Sequence, residues 1–134
     1  TPKPSSAASD VYKRQDAALA QLEATLDRRA AVVSALAPEL APLASRAEST
    51  ELAQGHFDER TTRERELSAA IAQRFDTRPA LLADAEGRIH LAHRFYNEAV
   101  SDTRALRLRP AVKWLRLGGT AKLPEFFELN QIEV

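Results

Sequence analysis

His90 and His93 stand three residues apart in one helical stretch, with Glu86 a turn before His90, and such a grouping invites a metal ion. The spacing argues against one. Carboxylate-bridged di-iron bundles place Glu-x-x-His on paired helices, whereas Glu86 to His90 is one residue too long and His56 is the one other imidazole. Nucleophilic chemistry is no better provided for. A Ser or Thr activated by a His and an acid needs a sharp turn such as Gly-x-Ser-x-Gly, and the chain has 4 Gly, no Cys and no such turn. The same shortage leaves no Gly-rich loop of the spacing that cradles phosphates. The reading is therefore non-enzymatic, with no catalytic residue, no metal ligand and no cofactor.

Two other groups of residues invite a binding role. Tyr96-Asn97 joins a phenol to an amide on one turn, which suits either a ligand contact or a structural one, in which the ring fills core volume and Asn97 bonds across to a neighbouring helix. The segment from Arg104 to Lys122 holds six basic residues and no acid, in a chain whose formal net charge is +0. Within it Arg107, Arg109, Lys113 and Arg116 are interleaved with Leu and with Trp114, a pattern that suits a membrane interface with the indole at headgroup depth and the cations toward anionic lipid. Nucleic acid fits less well, because the patch carries one aromatic and the rest of the chain is net acidic.

Those residues must be positioned by helices. Leu82, Ala85, Ile89, Ala92, Tyr96, Ala99, Thr103 and Leu106 recur at spacings of three and four, which predicts one long helix from Pro79 to Arg109. Leu19, Leu22, Leu26, Arg29 or Ala30, Val33 and Leu36 predict a first helix from Asp16, with Glu23, Asp27 and Arg28 on its outer side. Pro38 predicts a turn or kink, and a weaker stripe from Leu40 through Ala47 to Leu52 fades at Gly55, read as a C-cap. Asp58 to Phe75 predicts another helix, capped by Thr61 or Thr62 and ended by Pro79. Four amphipathic helices with short joints predict an all-α fold, an antiparallel up-down four-helix bundle with a short C-terminal extension.

The run from Arg88-Ile89 through Tyr96-Asn97 to Val100, followed by Pro124-Glu125-Phe126-Phe127-Glu128, resembles the C-terminal half of LemA-type proteins. Upstream, Leu26-Asp27-Arg28-Arg29-Ala30 is similar to the first bundle helix of that family with its paired-basic step. The likeness covers residues 16–128, although 45–80 match only in helical character. Two positions depart from the family pattern: His93 replaces a basic residue three places before the Tyr, and Thr103-Arg104 replaces a repeated Tyr-Asn. Arg28, Arg29, Arg88, Ile89, Tyr96, Asn97, Val100, Phe126, Phe127 and Glu128 are taken as family-motif residues with structural roles.

The resemblance implies a scaffold or interaction protein of the bacterial cell envelope, anchored at the inner membrane by an N-terminal helix, with the bundle on the cytoplasmic side. Anionic membrane lipid, an unidentified protein partner and a homo-oligomer are the expected partners, and nucleic acid is not. The alternatives are a soluble intracellular adaptor that self-associates, and a metal-binding bundle. Residues 1–15 resemble translated sequencing-adapter sequence, and the chain has no Met. They are read as non-native or disordered, ahead of a LemA-like bundle over 16–128 and a tail over 129–134.

Overall fold

The computed structural model describes residues 4–108, 125–129 and 132. Among these the chain is helical without a strand. Its order is α1 (Pro4–Leu36), a 3-10 turn (Pro38–Leu40), α2 (Ala41–Glu48), α3 (Asp58–Arg74) and α4 (Ala80–Leu108). α1 begins at Pro4 rather than Asp16, so residues 4–15 are part of the same helix, and Gln15 is buried.

Local chemistry explains the breaks. Ala37 adopts φ −138° and ψ 83°, the extended region into which a following Pro pushes its neighbour. Phe75 leaves the helical region at φ −117° and ψ 115°, ending α3. Asp58 and Glu59 lie in the first turn of α3 and Arg74 in its last, each sign opposing the helix dipole. The expected Thr cap is corrected: Phe57 holds the cap position without a side-chain bond, and the Thr62 hydroxyl instead donates to the Asp58 carbonyl at 2.9 Å. Gly55 is likewise no helix C-cap. α2 ends at Glu48, and Gly55 has φ +81° in a tight turn closed by the His56 amide on the Ala53 carbonyl at 2.9 Å.

α1 and α4 form the most extensive helix pair. Ala85, Ala92 and Ala99 recur every seventh residue on the buried side of α4, and so small a side chain lets two helices approach closely. The predicted stripe of α4 is buried from Leu82 to Thr103, together with Val100.

The apolar interior forms two clusters. One gathers Leu22 and Leu26 of α1, Leu52 and Phe57 of the α2–α3 connection, Ile89 and Tyr96 of α4, and the C-terminal Phe127, Leu129 and Ile132. The other gathers Ala30 and Val33, Ala44 and Ala47, Leu67 and Ile71, and Leu82 and Ala85. Arg29 falls between the clusters along α1, as Glu86 does along α4.

Candidate functional site

A charge network fills that boundary. Arg29, Arg60 and Glu64 are each 0% exposed. Glu64 Oε2 accepts from Arg29 Nη2 at 2.8 Å, and Oε1 accepts from Arg60 Nε at 2.8 Å. Arg60 also donates to Asp27 of α1 at 2.7 Å and to the Thr50 carbonyl at 2.7 Å. Arg29 Nη1 lies 3.7 Å from Glu86 Oε2, and Arg78 donates to Glu86 Oε1 at 3.1 Å. Three cations thus meet three carboxylates. Burial alone would lower the Arg60 pKa, but the Glu64 and Asp27 carboxylates outweigh it and hold the guanidinium above its ordinary value.

Arg28 and Arg29 part: Arg28 is exposed, and Arg29 is wholly inside, at the place that the α1 stripe offered to Arg29 or Ala30. Asp27 and Glu23, expected on the outer side, are half-buried. Glu23 accepts from the Leu52 amide at 2.7 Å and so holds the α2–α3 connection against α1.

The second grouping centres on Tyr96. Its ring is buried edge-on to Phe57, with centroids 6.1 Å apart. The hydroxyl lies 2.8 Å from Gln54 Oε1 and 2.9 Å from the Glu125 carbonyl. A phenol has one proton, so both contacts hold together when the Gln54 amide turns to donate and the hydroxyl serves Glu125. Burial pushes the Tyr96 pKa up to about 12, with Gln54 opposing.

One turn of α4 binds both main-chain groups of Phe127. Its amide donates to Asn97 Oδ1 at 3.2 Å, and its carbonyl lies 2.6 Å from His93 Nε2. A carbonyl only accepts, so Nε2 carries the proton and donates it. Asn97 Nδ2, at 3.0 Å from the same nitrogen, therefore finds no lone pair there. The Phe127 ring enters the core edge-on to Phe57 at 5.9 Å and to His93 at 6.1 Å, and Arg104 lies over the Phe126 ring at 4.5 Å. Sequence reasoning singled out Tyr96, Asn97, Phe126 and Phe127, and the structure brings them together. His93, weighed in sequence as a metal ligand, has a role there that sequence reasoning missed.

The other sites divide. Ile89 and Val100 are buried, Glu128 is exposed, and Arg88 is an exposed partner of Asp84 at 3.0 Å. Arg107 falls in the last turn of α4, while Arg109, Lys113, Trp114 and Arg116 lie outside the described residues. Glu86 turns to Arg29 and Arg78. Among the described residues no group of three or more His, Cys, Asp or Glu could hold a metal ion, and no helix is long and apolar enough to cross a membrane. Comparisons with protein-family models, curated proteins and solved structures give no match.

Proposed function

We propose that this chain is a non-enzymatic helical scaffold of LemA type, which works at the inner face of a bacterial inner membrane and recruits a protein partner there. One observation carries the reading: the motif residues Tyr96, Asn97, Phe126 and Phe127 spend their polar and aromatic groups on tying the C-terminal segment to α4. Groups committed to a main-chain clamp hold shape and are not left for substrate.

The four helices run up and down as an antiparallel bundle in this reading. Arg14 meets Asp102 at 3.4 Å and Arg29 meets Glu86 at 3.7 Å, so numbering rises along α1 as it falls along α4. The clamp at Glu125 and the end of α4 at Leu108 fix both ends of the intervening basic stretch. Arg107, Arg109, Lys113, Trp114 and Arg116 then lie against anionic lipid, cations toward the headgroups and the indole at the interface.

Vesicle co-sedimentation tests the lipid contact. At physiological salt the chain should pellet with phosphatidylglycerol vesicles and not with neutral ones, and changing Arg107, Arg109, Lys113 and Arg116 together to Glu should abolish pelleting. Unaltered pelleting of that variant would end the membrane reading.

A further inference from the structure

α4 carries a second stripe that stays exposed. Asp84, Arg88, Leu91, Phe95, Glu98 and Asp102 recur at spacings of three and four, with Leu81 ahead of them, and each is exposed. Each stands one residue before a buried member of the core stripe that runs from Leu82 to Thr103, so this face lies about 100° around the helix from the packed one. Three of the large hydrophobics exposed among the described residues are on it: Leu81 at 48%, Leu91 at 50% and Phe95 at 52%. Alternating steps of three and four make the seam along which two helices pair.

The charges along the stripe select what can cover it. Two copies laid parallel set Asp84, Arg88, Glu98 and Asp102 each against its own kind, and like charges so placed repel. Laid antiparallel with Leu91 facing the partner's Phe95, they set Arg88 against the partner's Glu98, and Glu98 against the partner's Arg88. Sliding by seven residues either way sets Leu91 against the partner's Arg88 or the partner's Asp102, an apolar group on a charge. One register therefore matches apolar with apolar and Arg with Glu on both sides of its centre, as a two-fold axis requires. It leaves Asp84 opposite the partner's Asp102, where each carboxylate already has a cation of its own chain, Arg88 at 3.0 Å and Arg14 at 3.4 Å. Glu98 meets Arg94 of its own helix only at 4.0 Å, with both side chains mostly exposed, and so weak a pair leaves it able to turn to a second guanidinium. α1 gives way beside this face, offering Gln21 and Ala24 across an open groove from Arg88.

We propose that the Leu91–Phe95 face of α4 is a self-association surface, and that its occupant is the same face of a second copy of this chain, packed antiparallel about a two-fold axis between Leu91 and Phe95. Two Arg88–Glu98 pairs flank the apolar centre and fix the register. Two large side chains from each molecule make a small centre, so the dimer belongs with weak, transient contacts, with a Kd on the order of 100 µM. The inference goes beyond the scaffold reading and involves no lipid, so the vesicle experiment and this one fail independently.

Sedimentation equilibrium of the full chain tests it. Wild-type chain should pass from monomer to dimer as its concentration crosses the expected Kd. Arg88→Glu sets Glu against the partner's Glu98, and Glu98→Arg sets Arg against the partner's Arg88, so either variant alone should dimerise about tenfold more weakly. Mixed in equal amounts, the two variants form a heterodimer in which both facing pairs are opposite in sign, and association should return to the wild-type strength. Phe95→Glu should leave the chain monomeric. All three positions are exposed, so circular dichroism should show the helicity of each variant unchanged. A monomer at every concentration would give the face to another occupant and overturn the proposal. A dimer that Phe95→Glu leaves intact, or a mixture that associates no more strongly than its parts, would overturn it as well.

Discussion

At Glu64 one carboxylate separates two guanidinium groups sealed from water. Glu64→Met would leave Arg29 and Arg60 buried together without the charge they share, at a cost of about 3–5 kcal/mol. Arg29→Met should cost less, about 1–2 kcal/mol, because Glu64 keeps Arg60 and because Arg29 Nε and Nη1 already make no hydrogen bond. Urea unfolding of the two variants checks the order, and equal losses would remove Glu64 from the centre of the network. Sequence places Tyr96 correctly, since its ring falls on an unbroken stripe. It conceals most of the network: Arg29 had a place offered in the α1 stripe, but Arg60 and Glu64 had none. The signal was nonetheless present: Arg29 keeps core spacing with Leu22, Leu26 and Val33, and Arg60 and Glu64 keep it with Leu67 and Ile71. Opposite charges at core positions of two helices should be read as a buried pair. Tyr96 carries a pH prediction. Its folded pKa, raised by burial to about 12, exceeds the ordinary value of about 10. Its contribution is therefore complete below pH 10 and is lost as pH climbs from 10 to 12. Unfolding midpoints across that window should fall, and Tyr96→Phe should flatten the dependence.

The bounds of α3 and α4 were legible to within a residue or two, whereas the start of α1 was not. α4 was expected over Pro79 to Arg109 and spans Ala80–Leu108. Illegible were the segments whose burial depends on distant partners. Leu52 continues the α2 stripe in sequence, yet it lies beyond the helix and is held by Glu23 from α1. Periodicity carries no record of such a contact. Two glycines make the contrast between local and distant causes testable. An added Cβ meets nothing within 4 Å at either Gly55 or Gly87, so backbone conformation alone decides the outcome. Gly87→Ala, in the interior of α4, should stabilise by up to about 1 kcal/mol. Gly55→Ala forces a side chain onto φ +81° and should destabilise by about 1 kcal/mol. Thermal melts of the two variants should move in opposite directions.

Across the whole molecule, two apolar clusters are joined by a charge network and closed at one side by the C-terminal segment. The expected basic membrane contact lies largely outside the described residues, but its two flanks are defined: the last turn of α4, and the clamp at Glu125. The account stands or falls on whether the motif residues of α4 hold that segment in solution. Amide hydrogen exchange at Phe127 measures this directly, because its N–H is bound only while the Asn97 clamp is closed. The account predicts marked protection at Phe127 in the wild-type chain and a loss of about tenfold or more on Asn97→Ala, with α1 and α4 amides still protected. Exchange at Phe127 in the wild-type chain as fast as in the free 124–134 peptide would contradict it.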